Sequence, residues 1–379
     1  MEFALTKEQE MVRKTAREFA EKEIAPIAAD IDERAEFPAE TVRKLGALGF
    51  MGMTVPKEWG GSGMDDISYA IAVEEVSRVC ASHGVTMSVC NSLVCWPLMK
   101  FGTDAQKEKY LKPVASGKVL GCFGLTEPNA GTDAGSQATV ARKEGDKYII
   151  NGSKVFITNA SKSDVTILFA MTDKSKGTKG ISTFVVDSNT PGYSIGSIEK
   201  KMGIRASIQT ELVFQDMEVP AENLLGKEGQ GFKIAMATLD GGRIGIAAQA
   251  LGIAQAAYEE SVKYAKQREQ FGKPISSFQA IQWFISDMAT EIDAARLLVY
   301  KAAFDKWKGR PYTTSAAMAK YFASDVAMKA TRNAIQVHGG YGFTKDYAVE
   351  RFYRDAKITE IYEGTTEVQK MVIAGDLLK

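Results

Sequence analysis

A carboxylate placed where a chain turns is well suited to chemistry, and Glu363 is one. In ITEIYEGTTEVQK, residues 358 to 370, it stands between an apolar run and a Gly-Thr-Thr turn. Thr366 and Gln369 have the spacing of a capping box, so a helix is expected to start there, with Gly364 giving the turn its freedom. A glutamate ahead of such a start is either a solvated charge favoured by the helix dipole or a base held for proton transfer. One positioned base contributes roughly 10²–10⁴ in rate.

Other residues suit binding. Asp240 and Arg243 in LDGGR, at the expected start of an Ala-rich helix, have the spacing of a local ion pair. Arg268 in REQFGKPISSFQ sits at a helix-to-helix turn, and its fixed fork of donors matches phosphate oxygens. Gly339 and Gly340 in QVHGGYGF either bring backbone close to a ligand or simply break a helix. Phe156 in KVFITNA is a face for a flat ligand or a buried strand residue, and Thr132 in AGTD is a turn residue by default.

The elements that must position these groups fall into three runs. Residues 1–118 read as helical: EQEMVRKTAREFAEKEI and DISYAIAVEEVSRV repeat apolar residues every three or four positions, and Thr103 is a plausible cap for TDAQKEKYLKPVASG. Residues 119–225 carry short β-branched and aromatic runs with no helix-length pattern between them, which predicts an antiparallel β domain rather than βαβ units. Residues 226–379 return to long helical patterns dense in Ala and Gly, suited to a four-helix bundle. The fold class expected is α+β.

Lys+Arg and Asp+Glu are both 47 in 379 residues, so charge does not point to nucleic acid or a membrane surface. No apolar run approaches the ~18 residues of a membrane span, and the charged N-terminus reads as an amphipathic helix rather than a signal peptide; a cytoplasmic location is expected by default. Cys80, Cys90, Cys95 and Cys122 include no C-x-x-C pair and are expected to be small core residues. With only His83 and His338, no metal is expected.

Neither G-x-G-x-x-G after a strand nor G-x-x-x-x-G-K-[ST] is present, and G-x-S-x-G is missing. What is present is LTEPNAGTD at 125 to 133, followed in order by REQFGKPI, QVHGGYGF and IYEGTTEVQ. These four segments, with the helical, β, helical order, resemble the acyl-CoA dehydrogenase family over essentially the whole chain. LDGGRIGIAAQALGIA and DAKITEIYEGT are most similar to its short-chain, butyryl-CoA type.

The resemblance implies an FAD flavoprotein. It sets the flavin ring against Phe123, Leu125 and Thr126 and against Phe156, Ile157 and Thr158, with Phe156 where many members carry Trp. Thr132 is implied in contact with cofactor and with the CoA part of the substrate. Arg268, Phe271, Phe278 and Gln279, with Gln336, Gly339 and Gly340, are implied to reach the FAD pyrophosphate and adenosine across a subunit boundary, within a homotetramer built as a dimer of dimers. Thr365 and Glu367 fall on cofactor positions, and Asp240, Arg243, Tyr362 and Gly364 on substrate positions.

Glu363 is implied to be the base that removes the α-proton of an acyl-CoA thioester while the β-hydrogen leaves as hydride to flavin. Its backbone N–H and a ribityl hydroxyl are implied to stabilise the thioester oxygen. Some members carry the base near LDGGR; here Gly241 and Gly242 occupy that region and neither can act. The expected activity interconverts butyryl-CoA and crotonyl-CoA, exchanging electrons with an electron-transferring flavoprotein.

Several alternatives stay open. The chain could work as an enoyl-CoA reductase in an electron-bifurcating complex. The acyl group could be aromatic, because SVCNSLVCWPLM is implied to border the acyl pocket and Trp96 could shorten it, stack on a ring, or be plain core. An acyl-CoA oxidase or a non-enzymatic acyl-CoA-binding relative would share the scaffold.

Overall fold

The structure, a computed structural model, describes residues 4–379. The first amphipathic run is the helix Lys7–Phe19, opened by a capping box between Thr6 and Gln9. DISYAIAVEEVSRV is the helix Asp66–Val79, capped by Asp65. Thr103 caps its helix as expected, again with a reciprocal glutamine, Gln106. The stretch from Val89 to Cys95 winds as a π-helix, a widened turn often found at functional sites. All four cysteines are free and buried.

The β domain is one seven-stranded sheet: β1 Gly121–Gly124, β2 Val140–Glu144, β3 Lys147–Thr158, β4 Val165–Met171, β5 Ile181–Asp187, β6 Tyr193–Ile198 and β7 Gln209–Pro220. Most pairings are antiparallel, but β1 runs parallel to β4 and β2 meets β4 in parallel at Val140 and Met171. The expectation of a purely antiparallel sheet is corrected there. β1 and β4 can point the same way because residues 125–164, which include β2 and β3, form the crossover between them. β5 takes the whole opposite edge of β4. One face of the sheet closes over its own core around Ile150, Leu168, Phe184 and Leu212, while Phe123 and Ile167 join the helical core.

The C-terminal helices are Gly231–Gln267, Gln279–Trp307, Thr313–His338, Val349–Lys357 and Thr366–Leu377. The first is 37 residues long and begins at Gly231, so Asp240 and Arg243 lie about three turns inside it rather than at its start. The helical pattern of FKIAMATL ahead of LDGGR already carries the helix. Its small residues let Asp66–Val79 cross closely. A β-carbon at Gly252 would lie 2.2 Å from the Glu74 carbonyl, and one at Gly245 would lie 2.4 Å from the Tyr69 hydroxyl.

Candidate active site

Glu363 sits in the turn between the short 3₁₀ segment Ile358–Glu360 and the helix Thr366–Leu377. The helix cap is Thr365, whose hydroxyl accepts from the Val368 N–H at 3.4 Å, one residue earlier than the Thr366 box expected. Gln369 consequently does not close a box. Its buried amide donates to the Gly364 carbonyl at 2.8 Å and to the Glu363 carbonyl at 3.2 Å.

Two successive residues of this turn are left-handed, Glu363 at φ 54° and Gly364 at φ 93°. A side chain in that region costs about 1–2 kcal/mol, so the surroundings must hold it. The holding groups are Gln369 and Lys320. Lys320 is fully buried on Thr313–His338, and its ammonium donates to the Gly364 carbonyl at 2.7 Å.

The carboxylate turns inward. Its Oε2 is buried with no hydrogen-bond partner among the described residues. A β-carbon at Gly242 would fall 2.0 Å from that oxygen and 3.0 Å from a Leu93 methyl, so only glycine leaves room for the carboxylate here. Burial pushes the Glu363 carboxyl up to about 7, with Lys320 and Arg243 drawing it back. That is the range a general base needs near neutral pH. No acceptor among the described residues meets the Glu363 N–H.

Around this group, the Tyr362 hydroxyl donates to Gln249, whose amide reaches the Ala81 carbonyl. Arg243 is buried and pairs with Asp240 at 2.6 Å, while Thr313 donates to the other oxygen of Asp240 at 2.7 Å. The local ion pair read from LDGGR is therefore present, and Arg243 keeps a buried Nε without a partner among the described residues. Trp96 is partly buried and packs edge-on against Phe101 at 5.9 Å; the side chain that reaches Gly242 from SVCNSLVCWPLM is Leu93.

A second group of candidates lies on the β domain. Phe156 is 63 % exposed with φ 61°, at a bulge between Lys154 and Ile157, so it stands off the sheet instead of filling its core. The Thr126 carbonyl accepts from the Val155 N–H at 2.9 Å, which brings Thr126 beside that strand. Ile157 and Thr158 face Thr210 and Gln209 on β7, where the buried Thr210 hydroxyl and Gln209 Oε1 lack partners among the described residues. Phe123 and Leu125 are buried and Thr132 is exposed.

The loop bearing Leu125, Thr126 and Thr132 is pinned from inside. The Lys154 ammonium, fully buried, donates to Glu127 at 2.6 Å, Gln137 at 3.1 Å and the Leu125 carbonyl at 3.2 Å. Glu127 also accepts the Ala138 and Thr139 N–H groups. Burial lowers Lys154 to about 8 against the pull of Glu127. Burial would raise Glu127, but Lys154 and those N–H groups outweigh it and hold it low.

Arg268, Gly339 and Gly340 line an open cleft of about 480 Å³ with Tyr264, His338 and Tyr341. Beta-carbons at Gly339 and Gly340 would meet nothing within 4 Å, so space rather than packing surrounds them. Arg268 lies 5.6 Å from the centre of the Tyr341 ring. Gln336 and Gln279 are exposed, Phe271 is 93 % exposed, and Phe278 meets it edge-on at 6.0 Å. Neither Glu363 nor residues 123–158 line this cleft. Thr365 and Glu367 lie instead at the start of the Glu363-side helix.

Sequence reasoning passed over Lys320, Lys154 and Leu93, and gave Gln369 only a capping role. A signal existed for the first. In SAAMAKYFASD, Lys320 falls on the same face as Ala316, Ala323 and Ser324, all buried. A charge set into an alanine face asks for a partner.

Family models described as acyl-CoA dehydrogenase N-terminal, middle and C-terminal domain match residues 6–118, 122–217 and 229–378. A short-chain specific acyl-CoA dehydrogenase of Clostridium acetobutylicum is 58% identical over 379 residues, covering 100% of each chain. A 3-(aryl)acrylate reductase of Clostridium sporogenes is 53% identical over 374 residues, 99% of each chain. A chain solved in work on the electron-transferring flavoprotein of Acidaminococcus fermentans and flavin-based electron bifurcation superposes with a TM-score of 0.99, at 55% identity over 100% of each chain.

Proposed function

The chain belongs to the acyl-CoA dehydrogenase family, and we propose that it interconverts butyryl-CoA and its trans-2-enoyl counterpart, with Glu363 as the base that carries the α-proton. The observation that carries this reading is the inward Glu363 carboxylate, with a buried, unpartnered oxygen facing the room left by Gly242. A solvated charge at a helix start would have no reason for that burial.

Family members are FAD flavoproteins, and FAD is the cofactor. The residues fit it. Phe156 stands off the sheet as a face for a flat ring, and the unpartnered Thr210 hydroxyl and Gln209 amide oxygen lie opposite Ile157 and Thr158. Thr126 and Thr158 supply hydroxyls for a polar ring edge, with Phe123 and Leu125 behind. When bound, FAD accepts the substrate's β-hydrogen as hydride.

The chain's own part is the proton. Glu363 takes it from Cα as the Cα–H bond breaks, so that with loss of the β-hydrogen the Cα=Cβ bond forms. The free Glu363 N–H is available to the thioester oxygen, where developing charge is worth several kcal/mol to stabilise. Tyr362 and Gly364 flank the base, and Asp240 with Arg243 offers a polar clamp for the CoA side, as does Thr132.

Arg268, Gln336, Gly339 and Gly340 border a cleft that lacks Glu363 and residues 123–158. That separation supports pyrophosphate and adenosine binding for a neighbouring subunit in a homotetramer, with Phe271, Phe278 and Gln279 at the boundary. Thr365 and Glu367 stand beside the base on the cofactor side. The electron-transferring flavoprotein is the redox partner, supported by the Acidaminococcus likeness, and within such a complex the reaction runs as enoyl-CoA reduction. The C. sporogenes relative favours a second reading, reduction of an arylacryloyl thioester.

Anaerobic addition of butyryl-CoA to the purified yellow protein tests the proposal. Bleaching of the flavin band is the expected result. An unbleached flavin overturns the butyryl reading, and oxidation of the reduced flavin by cinnamoyl-CoA then establishes the aryl one.

A further inference from the structure

We propose that Lys320 is a positioning residue for this reaction, holding the Glu363 turn from beneath and setting an ammonium beside the residue that carries the carboxylate. The proposal rests on the reading of Glu363 as base.

Lys320 is 0 % exposed, on the inner face of Thr313–His338, among Ala316, Ala317, Ala319 and Ala323. The one hydrogen bond that its ammonium makes among the described residues goes to the Gly364 carbonyl, at 2.7 Å. No carboxylate among the described residues lies within 4.0 Å of it, so it is not half of an ordinary buried ion pair. Taking an ammonium out of water costs several kcal/mol per ion. A residue needed only to fill this space would be apolar, like its neighbours. The cost is offset where the ammonium meets a carbonyl and a nearby carboxylate, and both belong to the Glu363 turn.

The turn needs such support. Glu363 and Gly364 are both left-handed, and their two carbonyls point to donors on one side, Gln369 to both and Lys320 to that of Gly364. Fixing these carbonyls fixes the direction of the Glu363 side chain. Ser324, one turn along from Lys320, donates to the Thr359 carbonyl at 2.8 Å, so the same helix grips the chain on entry to the turn as well.

The charged and titratable groups that act on Glu363 come from several elements. Lys320 faces it from Thr313–His338, Arg243 from Gly231–Gln267, Tyr69 from Asp66–Val79, and Tyr362 precedes it in the chain. Lys320 and Arg243 are the cations among them. Arg243 pairs with Asp240 at 2.6 Å and still draws Glu363 down, whereas Lys320 has no paired carboxylate among the described residues. Burial lowers Lys320 to about 8 against the pull of Glu363, Glu360 and Glu367, so it is charged at and below neutral pH, where it favours the ionised base.

The test compares native protein with Lys320→Met and Lys320→Gln, each loaded with FAD. The rate of flavin reduction by butyryl-CoA is followed in single turnover across pH, alongside flavin occupancy and KM. Losing the positive charge makes Glu363 harder to ionise, so the acid limb should move up by about one unit, about tenfold in rate below it. KM and flavin occupancy should change by less than about twofold, since neither ligand touches Lys320. Lys320→Gln keeps a donor for Gly364 and removes only the charge, so it carries the test where Lys320→Met does not accumulate. An acid limb that stays in place in a folded, flavin-loaded variant overturns the proposal. Glu363→Gln run in parallel separates the two readings: if it bleaches at the native rate, the base assignment fails, whatever Lys320 does.

Discussion

The Glu363 carboxylate occupies the space that a side chain at Gly242 would need: a β-carbon there would lie 2.0 Å from Oε2. One helix thus forgoes a side chain so that a turn 121 residues later can place its own. Gly242→Ala is expected to push the carboxylate aside, because its end is flexible and the helix backbone is not. Misplacement of a reacting group by about 1 Å can cost about 10²-fold, and alanine favours a helix over glycine by about 1 kcal/mol. The expected variant folds with a little-changed melting temperature and reduces its flavin about 10²-fold more slowly. Native-rate bleaching would show that the carboxylate need not stand there.

Burial raises the Glu363 carboxyl to about 7, and this ties stability to pH. Between the ordinary carboxylate range and about 7, the folded chain keeps a proton that the unfolded chain has released, so stability falls as pH rises through that window. At pH 8 the folded protein carries the full cost of the buried charge, up to about 3 kcal/mol. Glu363→Gln removes that cost. Melting temperatures of native and Glu363→Gln protein should coincide near pH 4.5 and diverge toward pH 8, with the variant higher. Parallel curves would mean that the carboxylate is not desolvated.

Much of this was legible in the sequence because it is written in local patterns. The three-run order follows from apolar spacing, and Thr103 and Gln106 announce their cap. The parallel pairing of β1 and β4 was not legible, since strand direction depends on how residues 125–164 cross and not on either strand. The cap shifted from Thr366 to Thr365 because two adjacent threonines offer the same chemistry, and Gln369 was drawn away to two carbonyls of the turn. The left-handed φ of Phe156 is set by a bulge in pairing with β7, which no local run encodes. Lys320 and Lys154 read as surface charges by residue type and are fully buried; only their alanine and β-branched neighbours hinted otherwise.

Lys154 and Glu127 make a stability prediction. Removing one partner strands a buried charge, at about 3–5 kcal/mol. Lys154→Met leaves Glu127 with the Ala138 and Thr139 N–H groups alone, and Glu127→Gln leaves an ammonium with Gln137 and a carbonyl. Each single variant should unfold at lower urea concentration. Lys154→Met combined with Glu127→Gln should recover part of the loss, because no charge remains buried. If the two costs simply add, the residues do not act as a pair.

Arg268 carries the last prediction. Its cleft is open, the glycines beside it leave space, and its guanidinium lies 5.6 Å from the Tyr341 ring with no carboxylate within 4.0 Å among the described residues. An arginine so placed is available to a phosphate. Losing a hydrogen bond to a charged group costs about 1.5–3 kcal/mol, which is about a tenfold to hundredfold loss of affinity. Arg268→Ala should therefore release FAD on dilution and gel filtration that the native protein retains, while circular dichroism stays unchanged. Because the cleft contains neither Glu363 nor the Phe156 region, the loss should grow as the protein is diluted below its assembly concentration. Equal flavin content in both proteins after dilution would remove Arg268 from the cofactor site.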